Sequence, residues 1–397
     1  MKKLYIIVSL LICAVFLLNA EETGSEDLQE GPFRFKNRMI ELGHSVNFSF
    51  ANDFLGAGDV LQKTAVIDLD KLKDGLQIDL GLNVSPLFFN FNKNDDWGFG
   101  IFMNTEAAGN MSLSGNMLTF KKAENDQFGV GAAVFTETGG YGFFHYKKFK
   151  IKLNSAVFYP LIYTTPDMSY TYKTGTNDEG NETIELVIKY DMEIYSAFNM
   201  KDIDGITGRA GFDFGGGVEY PLFSFLDLGA DLTHIPLVPA ELKDYMRVEG
   251  TVGIKETDDI INADMDSIFE TEGDDAVYGT GSRLILRPFK LLTWADYRPF
   301  NTRLFSLIPS LGFAINPLYA QPASPEGGLK ARCDLFNIFI PTIGINYEDR
   351  LWKNSLDLVL NFRAVEIDFG IALQSQSFAK SWTADGLAVS FGLKAGW

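Results

Sequence analysis

Three histidines, His44, His145 and His234, are where catalysis would be sought in this chain. A hydrolase built on one of them needs a serine or a carboxylate within hydrogen-bond reach of the imidazole. His44 is followed at once by Ser45, but neighbours on a strand point to opposite faces and cannot pair directly. His234 has Asp231 three residues back, again at opposite parity. The three read as polar lumen or turn residues, and no enzyme activity is expected. There is no phosphate-binding loop, dinucleotide fingerprint or serine elbow. The glycines at 215–217 lie between Phe214 and Val218 and read as a kink or a close approach within a strand. The acidic stretch DDIINADMDSIFETEGDD, 258–275, lacks the central Gly and final Glu spacing of a calcium loop and reads as a solvated loop. AQPASPEGG, 320–328, needs no ligand. Cys333 is the only cysteine past residue 20, so neither an intrachain disulfide nor a thiolate metal site is expected. No metal and no cofactor follow from these residues.

What the chain does space regularly is charge against grease. In LQIDLGLNVS, Leu76, Ile78, Leu80, Leu82 and Val84 alternate with Gln77, Asp79, Gly81, Asn83 and Ser85. Ile184, Leu186, Ile188, Tyr190, Met192 and Ile194 alternate with Glu185, Val187, Lys189, Asp191 and Glu193. Glu366 and Asp368 sit between Val365, Ile367 and Phe369. A period of two is the signature of a strand with one apolar and one polar face.

The composition fits many such strands. Aromatics reach 14%, with 34 Phe and 38 Gly, while hydrophobic content is an ordinary 46%, so apolar residues are spread singly along strands. Residues 1–20, MKKLYIIVSLLICAVFLLNA, have a basic start, an uncharged run and Ala20 before an acidic stretch, and read as a cleaved secretory signal peptide. Removing Lys2 and Lys3 takes the net charge from −18 to −20, which excludes nucleic acid as a partner. No second apolar run approaches the length of a membrane helix.

Residues 21–40 form a polar leader or plug, and 41–397 divide into about fourteen strands. The eleven from residue 128 onward fall near 128–146, 149–165, 183–199, 207–220, 224–236, 244–256, 278–297, 303–316, 331–347, 355–374 and 386–397. A phase change near Arg363 and Ala364 reads as a bulge inside one strand. Long connections (53–75, 106–126, 166–182, 257–277, 317–330, 375–385) alternate with short ones (92–96, 147–148, 200–206, 237–243, 298–302, 348–354), and only 221–223 departs from this. Transmembrane barrels sort long external loops from short turns in this way. Trp97, Tyr159, Tyr163, Tyr220, Tyr347 and Trp397 stand at strand ends, where interfacial girdles lie. The fold class expected is therefore all-β: an antiparallel transmembrane barrel of about fourteen strands, with a short helical insert in the first external loop. Parity places Asp79, Asn83, Glu185, Lys189, Asp191, Glu193, Glu366 and Asp368 in its lumen.

The signal peptide, the alternation and the ending VSFGLKAGW resemble outer-membrane β-barrel proteins of diderm bacteria. In that family a final aromatic on an amphipathic strand is read by the barrel-assembly machinery. The resemblance implies this role for Val389, Phe391, Leu393 and Trp397, although Phe is the more usual last residue. In size, strand number and aromatic richness the chain resembles long-chain fatty-acid transport barrels, whose plug carries an Asn-Pro-Ala motif that this leader lacks. The implied partners are outer-membrane lipid, the assembly machinery and a hydrophobic small molecule. The expected function is uptake or diffusion of small or hydrophobic solutes across the outer membrane; the alternative is a surface barrel whose loops bind a partner. A helix capped by Asp59 would either fold into the mouth, placing Val60, Leu61, Ala65 and Ile67 against the entrance as a gate, or pack over the external rim.

Overall fold

The computed structural model describes residues 38–52, 76–93, 96–113, 128–165, 167–176, 182–199, 206–255, 269–273, 275–302, 304–319, 322–362, 364–382 and 386–397. The described strands all join one antiparallel sheet, and fourteen of them close a ring. The ring runs through β1 (Ile40–Asn52), β2 (Leu76–Lys93), β3 (Trp97–Leu113), β4 (Phe128–Tyr146) and β5 (Phe149–Thr164). It continues through β8 (Gly211–Phe223), β9 (Leu226–Val238), β13 (Phe289–Tyr297), β14 (Phe305–Ile315) and β15 (Ala323–Cys333). Finally come β16 (Phe339–Glu348), β17 (Leu351–Asn361), β18 (Val365–Ser375) and β19 (Gly386–Gly396), which pairs back onto β1.

The remaining strands build a blade on one arc of the rim: β6 (Asp167–Thr176), β7 (Glu182–Ser196), β10 (Ala240–Lys255), β11 (Phe269–Gly273) and β12 (Val277–Ile285). They prolong the wall. The top of β5 pairs with the end of β7, β7 pairs with β6 and β10, and β10 pairs with β11 and β12. Only Pro239 separates β9 from β10, and only Leu286–Pro288 separates β12 from β13. A proline lacks the N–H that a continuous ladder needs, so these breaks fall where the wall changes partners.

The strand number agrees with the expectation, but its membership differs. The expected strands 183–199 and 244–256 belong to the blade. Three others each divide in two: residues 278–297 break at Leu286–Pro288 into β12 of the blade and β13 of the ring. Residues 331–347 break at a turn holding Phe336 and Asn337 at positive φ, and 355–374 divide into β17 and β18, which pair antiparallel and are not one bulged strand. Segment 237–243 is not a rim turn but sits where barrel gives way to blade, and residues 200–205 lie outside the described residues. Asp349–Arg350 is a two-residue turn at the far rim, both residues left-handed (φ 49° and 68°), as a tight hairpin requires. Trp397 and the turns at 147–148, 224–225, 298–302 and 334–338 share one rim, and the Asp349–Arg350 turn lies at the other; the expected connections 166–182 and 317–330 instead hold β6 and most of β15. The helical insert expected within 54–75 lies outside the described residues. Among those described, the only helix is a 3-10 turn at Lys380–Trp382.

Burial is inverted relative to a water-soluble protein. Outward positions such as Ile101, Leu153, Leu311, Ile343, Leu356 and Phe391 are exposed, while inward Glu41, Asn90, Glu106, Asp213, Asn346 and Glu366 are buried. Phe99 stacks with Phe91 and Trp97 at the terminal rim, as does Phe223 with Phe225, and Phe149 packs tilted against Tyr220. Tyr163, expected in that girdle, instead packs inside. An apolar exterior with an aromatic rim is matched by lipid. Replacing Leu356, half-exposed mid-strand on β17, by arginine should cost about 2–4 kcal/mol in lipid vesicles. Asp357→Asn on the inward face should cost much less. Urea titration of vesicle-folded protein compares the two; equal losses would contradict the assignment of faces.

Candidate functional site

The interior is the candidate site, and Arg287 is its hub. The Leu286–Pro288 break turns this side chain into the lumen, where it is 4% exposed. Its Nη1 donates to Glu137 of β4 and lies 3.3 Å from Asp213 of β8. Nη2 lies 3.9 Å from Glu106 of β3 and donates to His234 Nε2 at 2.7 Å. Asn104 donates to the other oxygen of Glu137 at 3.1 Å. His234 reaches this cluster because its φ is +50°, a bulge conformation that overrides parity. Its Nε2 accepts from Arg287, and its Nδ1 donates to the Pro288 carbonyl at 2.8 Å. Asp231, its sequence neighbour, instead meets Lys152 at 3.9 Å and accepts from Trp294 Nε1 at 2.8 Å.

The glycines at 215–217 prove to be close-approach residues. A Cβ on Gly215 would lie 2.2 Å from Asn154 Oδ1, and one on Gly217 2.0 Å from Asp231 Oδ1. They leave room for polar side chains from β5 and β9 inside the wall.

The far mouth is spanned by a hook, Asn316–Tyr319, between β14 and β15. Asn316 Oδ1 accepts from the Leu318 N–H at 3.1 Å and the Asn316 carbonyl accepts from the Tyr319 N–H at 3.2 Å, which fixes the turn. The hook then reaches across to β3 and β4, nearly opposite in the ring. Asn110 donates to the Leu318 carbonyl at 3.1 Å, and a Cβ on Gly131 would sit 2.5 Å from that oxygen. The Tyr319 hydroxyl lies 3.2 Å from Asp79 Oδ1 and 3.3 Å from the Asp349 carbonyl. A cavity of about 60 Å³ under the hook is lined by Asp79, Glu106, Asn110, Leu318, Tyr319 and Lys353, among others. Lys290 lies 3.1 Å from Asp349 and 3.9 Å from Glu326.

Beside the hub is an apolar cluster. Phe135, Phe158, Tyr163, Tyr195, Leu242, Ile285 and Leu318 pack together where barrel meets blade. The Arg287 guanidinium carbon stands 5.6 Å from the Phe158 ring centre. At the terminal rim a further network joins Arg38 to Glu41 at 3.0 Å, Asn90 to Glu41 at 3.0 Å, and Lys394 to Glu366 and Asp368 at 3.2 and 2.8 Å.

The sequence-derived positions thus separate. Asp79 and Asn83 on β2, and Glu366 and Asp368 on β18, face the lumen; Asp79 touches the hook. Glu185, Lys189, Asp191 and Glu193 lie on β7 in the blade, outside the barrel wall. There Asp191 accepts two hydrogen bonds from Arg247, at 2.8 and 2.5 Å, which hold its carboxyl below the usual range. Glu193 accepts from the Tyr195 hydroxyl. Leu186 and Ile188 are buried against Met168, Tyr170 and Tyr172 of β6. Val389, Phe391 and Leu393 stand on the outward face of β19, and Trp397 closes the seam: its N–H donates to the Ile40 carbonyl at 3.1 Å. Val60, Leu61, Ala65 and Ile67 lie outside the described residues. His44 faces Phe391, and His145 meets the Asp96 carbonyl at a rim turn. Among the described residues no metal-binding group of side chains occurs. The hub residues escaped sequence reading, although LRPF at 286–289 breaks a strand pattern with Arg and Pro together.

In fold the chain is similar to the toluene transporter TbuX of Ralstonia pickettii, with a TM-score of 0.50 and 7% identity over 96% of this chain and 95% of that one. It is also similar to the toluene transporter TodX of Pseudomonas putida (TM-score 0.48, 10% identity, 95% and 94% of the two chains). A FadL homologue of Pseudomonas aeruginosa gives a TM-score of 0.45 at 10% identity, over 92% and 91%. At these identities the likeness is one of fold. No protein-family model and no curated protein matches the chain.

Arg287→Ala should be among the most damaging substitutions in the lumen. It leaves Glu106, Glu137 and Asp213 buried without their shared cation, a loss of about 3–5 kcal/mol. Arg247→Ala removes a solvated ion pair and should leave the unfolding midpoint close to wild type. Denaturant titration in the same vesicles measures both, and an Arg287→Ala midpoint equal to that of Arg247→Ala would contradict the hub's role.

Proposed function

We propose that the protein is an outer-membrane barrel that takes up small apolar solutes, with the Asn316–Tyr319 hook as its outer gate. The observation that carries this reading is an apolar cluster held inside a polar lumen, beside a loop docked across the mouth. A solute leaving water would be met by Phe135, Phe158, Tyr163 and Leu318 once the hook lifts. The buried state of inward side chains from Glu41 to Asn346 supports an occluded passage over a water-filled porin, whose lining stays wet. The fold is shared with a protein described as a toluene transporter.

Export by a signal peptide cleaved after residue 20, and insertion by an assembly machinery that reads Val389, Phe391, Leu393 and Trp397, complete the proposal. The segment carrying Val60, Leu61, Ala65 and Ile67 is assigned to the same entrance. A second reading, loop-mediated binding of a surface partner, draws support from the charged face of the blade, where Arg247 meets Asp191 and Glu249.

Gly131→Leu tests the gate, because its side chain would occupy the place of the Leu318 carbonyl. The variant should raise conductance in planar bilayers and speed toluene uptake by vesicles. Unchanged conductance and uptake in a folded variant would remove the hook from the mechanism and favour the surface-binding reading.

A further inference from the structure

Among the described residues, five inward cations already have carboxylate partners. Arg38 has Glu41 at 3.0 Å, Lys152 has Asp231 at 3.9 Å, Lys353 has Glu348 at 3.7 Å and Lys394 has Glu366 at 3.2 Å. Lys290 is held between Glu326 and Asp349. Arg287, which stands over Phe158 of the apolar cluster, faces three carboxylates, and Arg283, at the exposed side of the same cluster, lies over Tyr163 and donates to Thr165. Asp79 stands at the mouth beside the hook. An arriving anion would therefore meet a low-dielectric neck already in excess of negative charge, where repulsion is least screened.

The hub still has one thing to offer a solute. Both terminal nitrogens of Arg287 are engaged, but its buried Nε–H has no hydrogen-bond partner. A neutral carbonyl or hydroxyl oxygen is an acceptor that could meet this donor without adding charge. A carboxylate meeting it would sit against Glu106, Glu137 and Asp213.

We infer that the passage selects uncharged apolar solutes, including those with one neutral acceptor oxygen, and rejects carboxylate anions of the same skeleton. This rests on the uptake reading above and names its substrate class. Glu137 and Asp213 set the selectivity by quenching Arg287.

The test uses a matched pair of probes, phenylacetamide and phenylacetate, with the full chain in lipid nanodiscs at pH 7.5. Calorimetric titration against empty nanodiscs gives each affinity. Phenylacetamide should bind at least about tenfold more tightly, a difference of about 1.4 kcal/mol. Glu137→Gln and Asp213→Asn should each narrow the gap by strengthening phenylacetate. Glu106→Gln, farther from the guanidinium, provides a milder variant should either of these fail to close the barrel. Equal affinity for the two probes, or tighter phenylacetate, would overturn the selectivity while leaving the uptake reading standing. Binding of neither probe by the closed barrel would instead overturn the uptake reading itself.

Discussion

Everything in this structure depends on the seam between β1 and β19. From Glu41 opposite Gly396 to Ala51 opposite Gly386, eleven residue pairs join the first and last strands of the ring. In lipid no water can satisfy an open edge, so a sheet survives only if its last strand returns to its first. The alternation of LAVSFGLKAGW serves this closure. Its apolar set faces outward, its small set lies against the lumen, and the backbone of Trp397 bonds to Met39 and Ile40. Closure fixes the side of every later residue, because strand parity then assigns each side chain to lipid or lumen.

With the inside assigned to polar groups, the next constraint is charge. Buried ions persist when paired and hydrogen-bonded. The interior meets this by gathering cations and carboxylates from strands far apart in sequence. Arg287 draws together β3, β4, β8 and β9; Lys290 reaches Glu326 of β15 and the β16–β17 turn; Lys394 bridges to β18. These contacts hold walls that no hydrophobic core supports. Arg287 also stands over Phe158 of the apolar cluster, so structure and solute selection draw on the same residue.

The barrel was legible in the sequence because closure imposes period two on nearly every segment. Strand membership was less so. Local alternation is identical in a barrel strand and in a blade strand that extends it, so Ile184–Ile194 looked like a lipid-facing wall. The connection at 362–364 carries no Gly, Pro or Asp, and only its change of phase marked it. The count still came to fourteen because two blade segments replaced two missed hairpins. Asp79 and Glu366 were found from parity, since they lie in unbroken strands. Arg287 was not, because a Pro break directs it inward, and His234, read only as a lumen or turn residue, reaches the hub through a left-handed φ. The hook is legible only in space, since its landing points, Asn110 and Gly131, lie some two hundred residues upstream.

The central claim is that the barrel is inside-out, with lipid on its greasy face and a closed polar lumen on the other. A nitroxide scan along β19 tests it directly. Single cysteines would be placed from Leu387 to Gly396 in a Cys333→Ser background and the labelled protein folded into vesicles. The account expects collision with oxygen, which partitions into lipid, to peak at 387, 389, 391, 393 and 395 and to fall at the positions between. A uniform profile, or strong collision with a water-soluble nickel reagent at Val389, Phe391 and Leu393, would contradict it.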